Sequence, residues 1–321
     1  MSRILVTGAT GFIGAHLVPA LLEAGHAVRI AKRMPPVGKD SRGIESVATG
    51  AIDGETDWTW ALDGIDAVVH LAGRAHVMRE TETDARAAYR RTNVDGTRRL
   101  AEAAAAAGIS RLVFLSSVKV NGERTRESPF RETDTPAPED EYGRTKWDAE
   151  RILSEISRQT GLKTVILRPP LVYGPGVKGN FLTLLNVCAN RLPLPLSGIT
   201  NRRSLIYVGN LVDAVIACLD REKAAGQTFL LRDGDDVATP DLIRRISEAL
   251  NVKARLLPFP PDLLRLTGKL TGRGATVARL TESLAIDDSK IRSVLGWTPP
   301  YSMVEGLSKT AAWWRSGRPD I

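Results

Sequence analysis

Apolar positions in the first half of the chain follow two alternating periods. Arg3–Thr7, Val28–Ala31, Ala67–Leu71, Leu112–Ser116 and Lys163–Leu167 are short aliphatic runs of the kind that buried strands show. Between them the apolar spacing changes to that of helices. Phe12–Ala24 places Ile13, Leu17, Leu21 and Leu22 on one face, and the stretch from about Asp84 to Ala107 reads as one long helix. Tyr142–Thr160 is a third, and the alanine run at 103–107 suits a helix interior. Strands and helices alternating in this way predict an α/β fold, a doubly wound parallel sheet with helices on both faces.

After Pro170 the texture changes. Prolines at 169, 170, 175, 193 and 195 interrupt the alternation and predict loops and short helices laid over the sheet. Gly209–Leu219 and Pro240–Leu250 read as helices with a strand, Thr228–Leu231, between them. Asp287–Leu295 and Met303–Trp314 close the chain. Residues 1–168 are therefore mainly the strand–helix domain. Residues 169–321 are mainly a smaller cap, from which elements can return to the sheet.

Composition narrows the function classes. The 321 residues are 43% hydrophobic and 25% charged, which excludes disordered and collagen-like chains. No apolar stretch reaches the length of a membrane span, and Met1-Ser2-Arg3 leads straight into a strand without a signal-like segment. A soluble cytoplasmic protein is expected. Cys188 and Cys218 are the only cysteines, and the four histidines lack H-x-x-x-H spacing, so neither a disulfide scaffold nor a metal site is expected. Residues 1–165 hold 23 basic and 23 acidic side chains, and residues 166–321 hold 21 and 14. The whole surplus of +7 lies in the second half, either as solvated surface or facing an anionic ligand. No basic run is interleaved with stacking aromatics, so nucleic acid is not the expected partner.

Thr7-Gly8-Ala9-Thr10-Gly11-Phe12-Ile13-Gly14 links the first strand to the first helix. Gly8 permits a tight turn, Gly11 lets backbone N–H groups reach a pyrophosphate, and Gly14 packs helix on strand. Strand, turn and helix in this order make a dinucleotide site, with Thr10, Phe12 and Ile13 beside the phosphates. The second strand ends Ile30-Ala31-Lys32-Arg33, with two cations where an NAD enzyme usually places a carboxylate. Those cations suit a 2′-phosphate, favouring NADP with NAD possible, unless both simply face solvent.

Tyr142-Gly143-Arg144-Thr145-Lys146 puts a phenol and an ammonium on one helix face. The cation lowers the cost of a phenolate, which a tyrosine needs to move protons near neutral pH. Phe114-Leu115-Ser116-Ser117 ends a strand with hydroxyls able to bond a substrate oxygen. His70-Leu71-Ala72-Gly73 ends another with small residues. Asn93 sits within a helix despite poor propensity, which points either to a cofactor contact or to a structural tie.

These motifs resemble the extended short-chain dehydrogenases/reductases of the nucleotide-sugar epimerase/dehydratase family, from Gly8 to Leu295-Gly296-Trp297-Thr298-Pro299. The resemblance implies a Rossmann-type domain, a C-terminal region holding a nucleoside-diphosphate sugar, and a homodimer. It implies Ser117, Tyr142 and Lys146 as a catalytic triad, with Lys146 also on the nicotinamide ribose. Ile52, Leu71, Ala72, Gly73, Asn93 and Pro169 would complete the cofactor surface. Arg203, in Asn201-Arg202-Arg203-Ser204, would grip the diphosphate, with Asn180 and Arg279 as further contacts and His76 and Lys119 on the substrate side. Ala51, Leu171 and Asn121 depart from the family's usual Asp, Asn and Tyr, which puts the detailed sugar contacts in doubt.

The runs His76-Val77-Met78, Ser117-Val118-Lys119-Val120-Asn121-Gly122 and Arg168-Pro169-Pro170-Leu171-Val172-Tyr173-Gly174-Pro175-Gly176-Val177-Lys178-Gly179-Asn180-Phe181 are similar to bacterial 4-ketoreductases that form UDP-N-acetylquinovosamine for polysaccharide or O-antigen synthesis. The leading expectation is NAD(P)H-dependent reduction of the C4 ketone of a UDP-4-keto-6-deoxy-N-acetylhexosamine. The alternative is a UDP-hexose 4-epimerase with tightly bound NAD. A non-catalytic relative would typically lack the Tyr or the Lys, and both are present.

Overall fold

The computed structural model describes residues 1–34, 38–39, 43–75 and 84–317. Its main sheet contains β1 (Arg3–Thr7), β2 (Ala27–Lys32), β3 (Gly38–Lys39), β4 (Glu45–Ala48), β5 (Ala67–His70), β6 (Arg111–Leu115), β7 (Lys163–Arg168) and β10 (Thr228–Leu230). The order is β10-β7-β6-β5-β1-β2-β4-β3, parallel except for the short β3–β4 pair. From β1 the chain builds outward through β2 and β4 on one side and β5 to β7 on the other. The switch in direction falls between β1 and β5, where Val6 pairs with both Ile30 and Val69. In a doubly wound sheet that crevice is where ligands bind.

Alternate strand residues feed two cores. Ile4, Val6, Val69, Val113 and Val165 face α1 (Phe12–Glu23) and α7 (Val208–Asp220). Leu5, Val68, Leu112 and Phe114 face α4 (Gly96–Ala106) and α5 (Glu141–Thr160). Burial on both faces is why these strands read as continuous apolar runs. The first core continues without a break into Tyr173, Phe181, Trp297 and Leu307, so residues beyond Pro170 share it. β10 and α7 belong to the sheet and its covering layer. A separate two-stranded sheet joins β8 (Leu171–Tyr173) to β9 (Leu205–Tyr207) in parallel.

The single helix expected over Asp84–Ala107 is three pieces. α3 (Ala85–Arg90) leads into a π turn at Arg91–Asp95, and α4 follows. The widened turn rotates Asn93 inward, and such turns gather at functional sites. α5 starts at Asp140, whose carboxylate accepts from the Gly143 N–H at 2.7 Å, and stops at left-handed Gly161. Among the described residues no helix is long and apolar enough to cross a membrane.

Candidate active site

The turn after β1 lets backbones approach at distances no side chain allows. Gly8 has φ +69°, and a Cβ there would stand 2.7 Å from the Ala72 amide nitrogen. The Gly8 carbonyl accepts from the Gly11 N–H at 3.0 Å, and a Cβ at Gly14 would collide with the same oxygen. Thr10 and Gly11 are exposed and Phe12 and Ile13 half-buried along this cradle, with Leu71 and Ala72 against its other side. A Cβ at Gly73 would lie 3.2 Å from both Asn93 Oδ1 and Lys146 Nζ. The glycine turn and the Tyr–Lys helix therefore meet at one edge of the sheet.

Behind this edge runs a hydrogen-bonded chain through the fully buried His70. The Ala72 N–H donates to Thr7 Oγ1 at 3.2 Å, and that hydroxyl lies 2.7 Å from His70 Nδ1. His70 Nε2 lies 3.0 Å from Thr97 Oγ1, which donates its own proton to the Asn93 carbonyl at 2.8 Å. Thr97 has then no proton left for the imidazole, so Nε2–H donates and Nδ1 accepts from Thr7. Burial, with Lys146 nearby, pushes the His70 pKa down to about 3, so the ring is neutral. Asn93, a cofactor candidate by sequence, spends its amide inside the protein. Nδ2 donates to the Arg74 carbonyl and Thr145 Oγ1, both at 3.0 Å, and Oδ1 accepts from the Arg74 N–H at 2.7 Å. It ties the loop after β5 to α5, the structural duty that the sequence left open beside a cofactor contact.

Lys146 is buried on α5, and its Nζ donates to the Leu115 carbonyl at 2.8 Å and lies 6.0 Å from the Tyr142 ring centre. Burial pushes its pKa down to about 8, and Glu150 acts to raise it. The Ser117 hydroxyl stands close enough to the Tyr142 phenol to favour its ionised form. Burial raises the Tyr142 pKa to about 12, Asp140 adds to that, and the Ser117 hydroxyl opposes it. The phenol thus rests protonated, and it becomes a base only when positive charge is brought close.

Glu150 belongs to none of the sequence motifs. It is buried one turn beyond Lys146, accepts from Arg168 Nε at 2.9 Å and bonds the Ser116 hydroxyl. Arg168 in turn donates to Asn121 Oδ1 at 2.9 Å, and Asn121 Nδ2 donates to the Arg131 carbonyl at 2.8 Å. Asn121, noted only as a departure, is thus part of a satisfied buried network. A carboxylate on the apolar face of α5 was the available signal.

The other candidates divide. Ile52 Cγ2 would be 2.7 Å from a Cβ at Gly96, so the loop after β4 is pressed onto α4. The Pro169 carbonyl accepts from the Val118 N–H at 3.0 Å, next to Ser117. Lys32 is half-buried at the end of β2, its carbonyl accepting from the Thr49 N–H at 2.8 Å, and Arg33 is exposed. Lys119 is partly exposed and ion-paired within the protein. Its ammonium binds Glu123 at 3.0 Å and Asp140 at 2.5 Å, and two carboxylates already neutralise it. His76 lies outside the described residues.

On the substrate side the structure brings Arg203 and Arg279 within electrostatic reach of each other. Burial lowers the Arg203 pKa, Glu282 supports its charge and Arg279 opposes it. Arg203 donates to the Glu282 carbonyl at 3.3 Å, and Arg279 is exposed in the last turn of α10 (Gly274–Thr281). Two cations held together in this way are stabilised by an anion between them. Asn180 lies on the exposed first turn of α6 (Gly179–Ala189).

A glycine turn packed this closely on the neighbouring backbone, with the buried Lys146 and half-buried Tyr142 at the same sheet edge, fits a nicotinamide dinucleotide. The chain is similar to a UDP-glucose 4-epimerase of Vibrio cholerae, 43% identical over 311 residues, covering 96% of this chain and 94% of that one. It is 27% identical, over 96% of its own length and 94% of the relative's, to the N-acetyl-alpha-D-glucosaminyl-diphospho-ditrans,octacis-undecaprenol 4-epimerase of Escherichia coli O157:H7. The solved structure of MoeE5 in complex with UDP-glucuronic acid and NAD superposes with a TM-score of 0.78 at 27% identity, covering 98% of this chain and 99% of that one. Residues 4–231 match the model of the NAD dependent epimerase/dehydratase family, and the chain belongs to that family.

Proposed function

We propose that this chain is a UDP-hexose 4-epimerase with NAD as its resident cofactor. Sequence motifs put reduction of a 4-keto sugar first and 4-epimerisation second, and we reverse that order. The observation that carries the reversal is the 43% identity, along 96% of the chain, to a protein named UDP-glucose 4-epimerase. The second relative, also named for 4-epimerisation, supports C4 as the reacting carbon.

NAD, when bound, supplies a hydride acceptor for C4 and the hydride that returns to the opposite face of the sugar. Tyr142 takes the O4 proton as C4 is oxidised and gives it back on reduction. Ser117, beside the phenol, steadies O4 as its charge changes. Lys146 supplies the positive charge that makes a phenolate accessible, against the burial that raises Tyr142. Arg203 and Arg279 take the diphosphate, which lets the sugar turn while its handle stays fixed.

One observation favours the second reading. Lys32 and Arg33 at the end of β2 suit the 2′-phosphate of an exchangeable NADPH, as a 4-ketoreductase would use. The discriminating experiment is to denature freshly purified protein and identify the released nucleotide by mass spectrometry. NAD at close to one per chain supports the epimerase. No released dinucleotide, or NADP in its place, supports the reductase.

A further inference from the structure

Five of the seven surplus positive charges of the second half sit in one short stretch. Lys253, Arg255, Arg265, Lys269, Arg273 and Arg279 are all exposed, and the only carboxylate from 253 to 279, Asp262, is paired with Arg265 at 2.9 Å. Within this stretch α9 (Pro261–Leu270) packs onto α10 through Gly268, where a Cβ would be 2.6 Å from Val277 Cγ2. Leu264 points into the core on that side. Leu263, Leu266 and Leu270 occupy the opposite face at helical spacing and are 46%, 52% and 78% exposed. Large aliphatic side chains clustered on one outer helix face are unusual in a protein surface unless something covers them.

We propose that the outer face of α9 docks on an anionic membrane surface, with Leu263, Leu266 and Leu270 inserted at the headgroup boundary and the surrounding cations on lipid phosphates. A leucine stripe flanked by lysine and arginine is the amphipathic pattern that lies in the plane of an interface. The charge excess selects an anionic lipid surface over a second copy of the chain, which would bring the same cations face to face. Because Arg279 belongs to this hairpin, docking places the diphosphate site beside the bilayer. That consequence rests on the epimerase reading, but the docking does not.

The test is co-sedimentation of the full chain, without substrate, on phosphatidylcholine vesicles with and without phosphatidylglycerol. Binding is expected on the anionic vesicles alone, weakening as salt is raised. The triple variant L263S/L266S/L270S should bind at least about tenfold less, and K269Q/R273Q should weaken binding and flatten its salt dependence. Circular dichroism and turnover on soluble UDP-sugar should match wild type for both. Failure of wild type to sediment with anionic vesicles, or equal binding by the triple variant, overturns the proposal. So does a wild-type oligomer that the triple variant dissociates without any vesicle binding, since the stripe is then a protein interface. Because the sedimentation itself uses no substrate, each of these outcomes leaves the epimerase reading standing.

Discussion

Glu150 and Lys146 are buried one helical turn apart on α5, and the carboxylate holds up the charge of an ammonium that burial pushes down. With Lys146 at about 8, its charge is present at neutral pH and is lost as pH rises through that value. Turnover should therefore fall on the alkaline side near pH 8, because an uncharged amine no longer favours the phenolate. Glu150→Gln removes the support and should move that limb to lower pH. It also leaves Arg168 without its buried counter-charge, at a cost on the order of 3–5 kcal/mol. A kcat–pH profile and a urea titration read the two effects separately. An alkaline limb that stays in place in the variant would break the link between Glu150 and Lys146.

His70 makes a prediction about stability. Its pKa falls from 6.5 to about 3 on folding, so below 6.5 the unfolded chain takes up a proton that the native ring refuses. The stabilisation is whole above pH 6.5, shrinks as pH falls and levels off below about 3. In that window unfolding free energy should drop by up to about 1.4 kcal/mol per pH unit from this group. Urea midpoints between pH 7.5 and 4 should show a shallower slope for His70→Gln than for wild type. Equal slopes would mean that the ring is not held neutral.

Tyr142→Phe keeps the ring and loses the proton carrier. Turnover should fall by roughly a hundredfold or more while NAD remains bound and the melting temperature stays near wild type. Retention of most activity would assign the proton to another group.

Arg203→Ala should act on binding. The guanidinium–diphosphate contact exists in both ground and transition states, so KM should rise with little change in kcat. One or two charge-assisted hydrogen bonds correspond to a rise of roughly tenfold to a hundredfold. An unchanged KM places the diphosphate elsewhere, and a kcat loss at constant KM makes Arg203 part of the chemistry.

What the sequence disclosed was local. The glycine turn and Tyr142–Lys146 are short motifs whose geometry follows from strand, turn and helix periods, and they meet where the alternating pattern implies. Contacts between distant segments were hidden. Asn93 reads the same whether it faces a ligand or, as found, bonds Arg74 nineteen residues earlier and Thr145 far downstream. Lys119 shows no sign in the sequence of its pairing with Asp140, the residue that caps α5. Glu150 is invisible without Arg168, and His70 hides in an apolar run whose hydroxyl partners, Thr7 and Thr97, lie on two other elements. The strand at Glu45–Ala48 escaped because its charged first residue and short length lack a run's signature.

The most direct test of the 4-epimerase reading is proton NMR of UDP-glucose incubated with the purified protein and no added reductant or oxidant. The account predicts the appearance of the anomeric signal of UDP-galactose, approaching the same mixture from either sugar, and its absence with Tyr142→Phe. No interconversion of UDP-glucose or UDP-N-acetylglucosamine, together with NADPH oxidation on a UDP-4-keto-6-deoxy sugar, would contradict it.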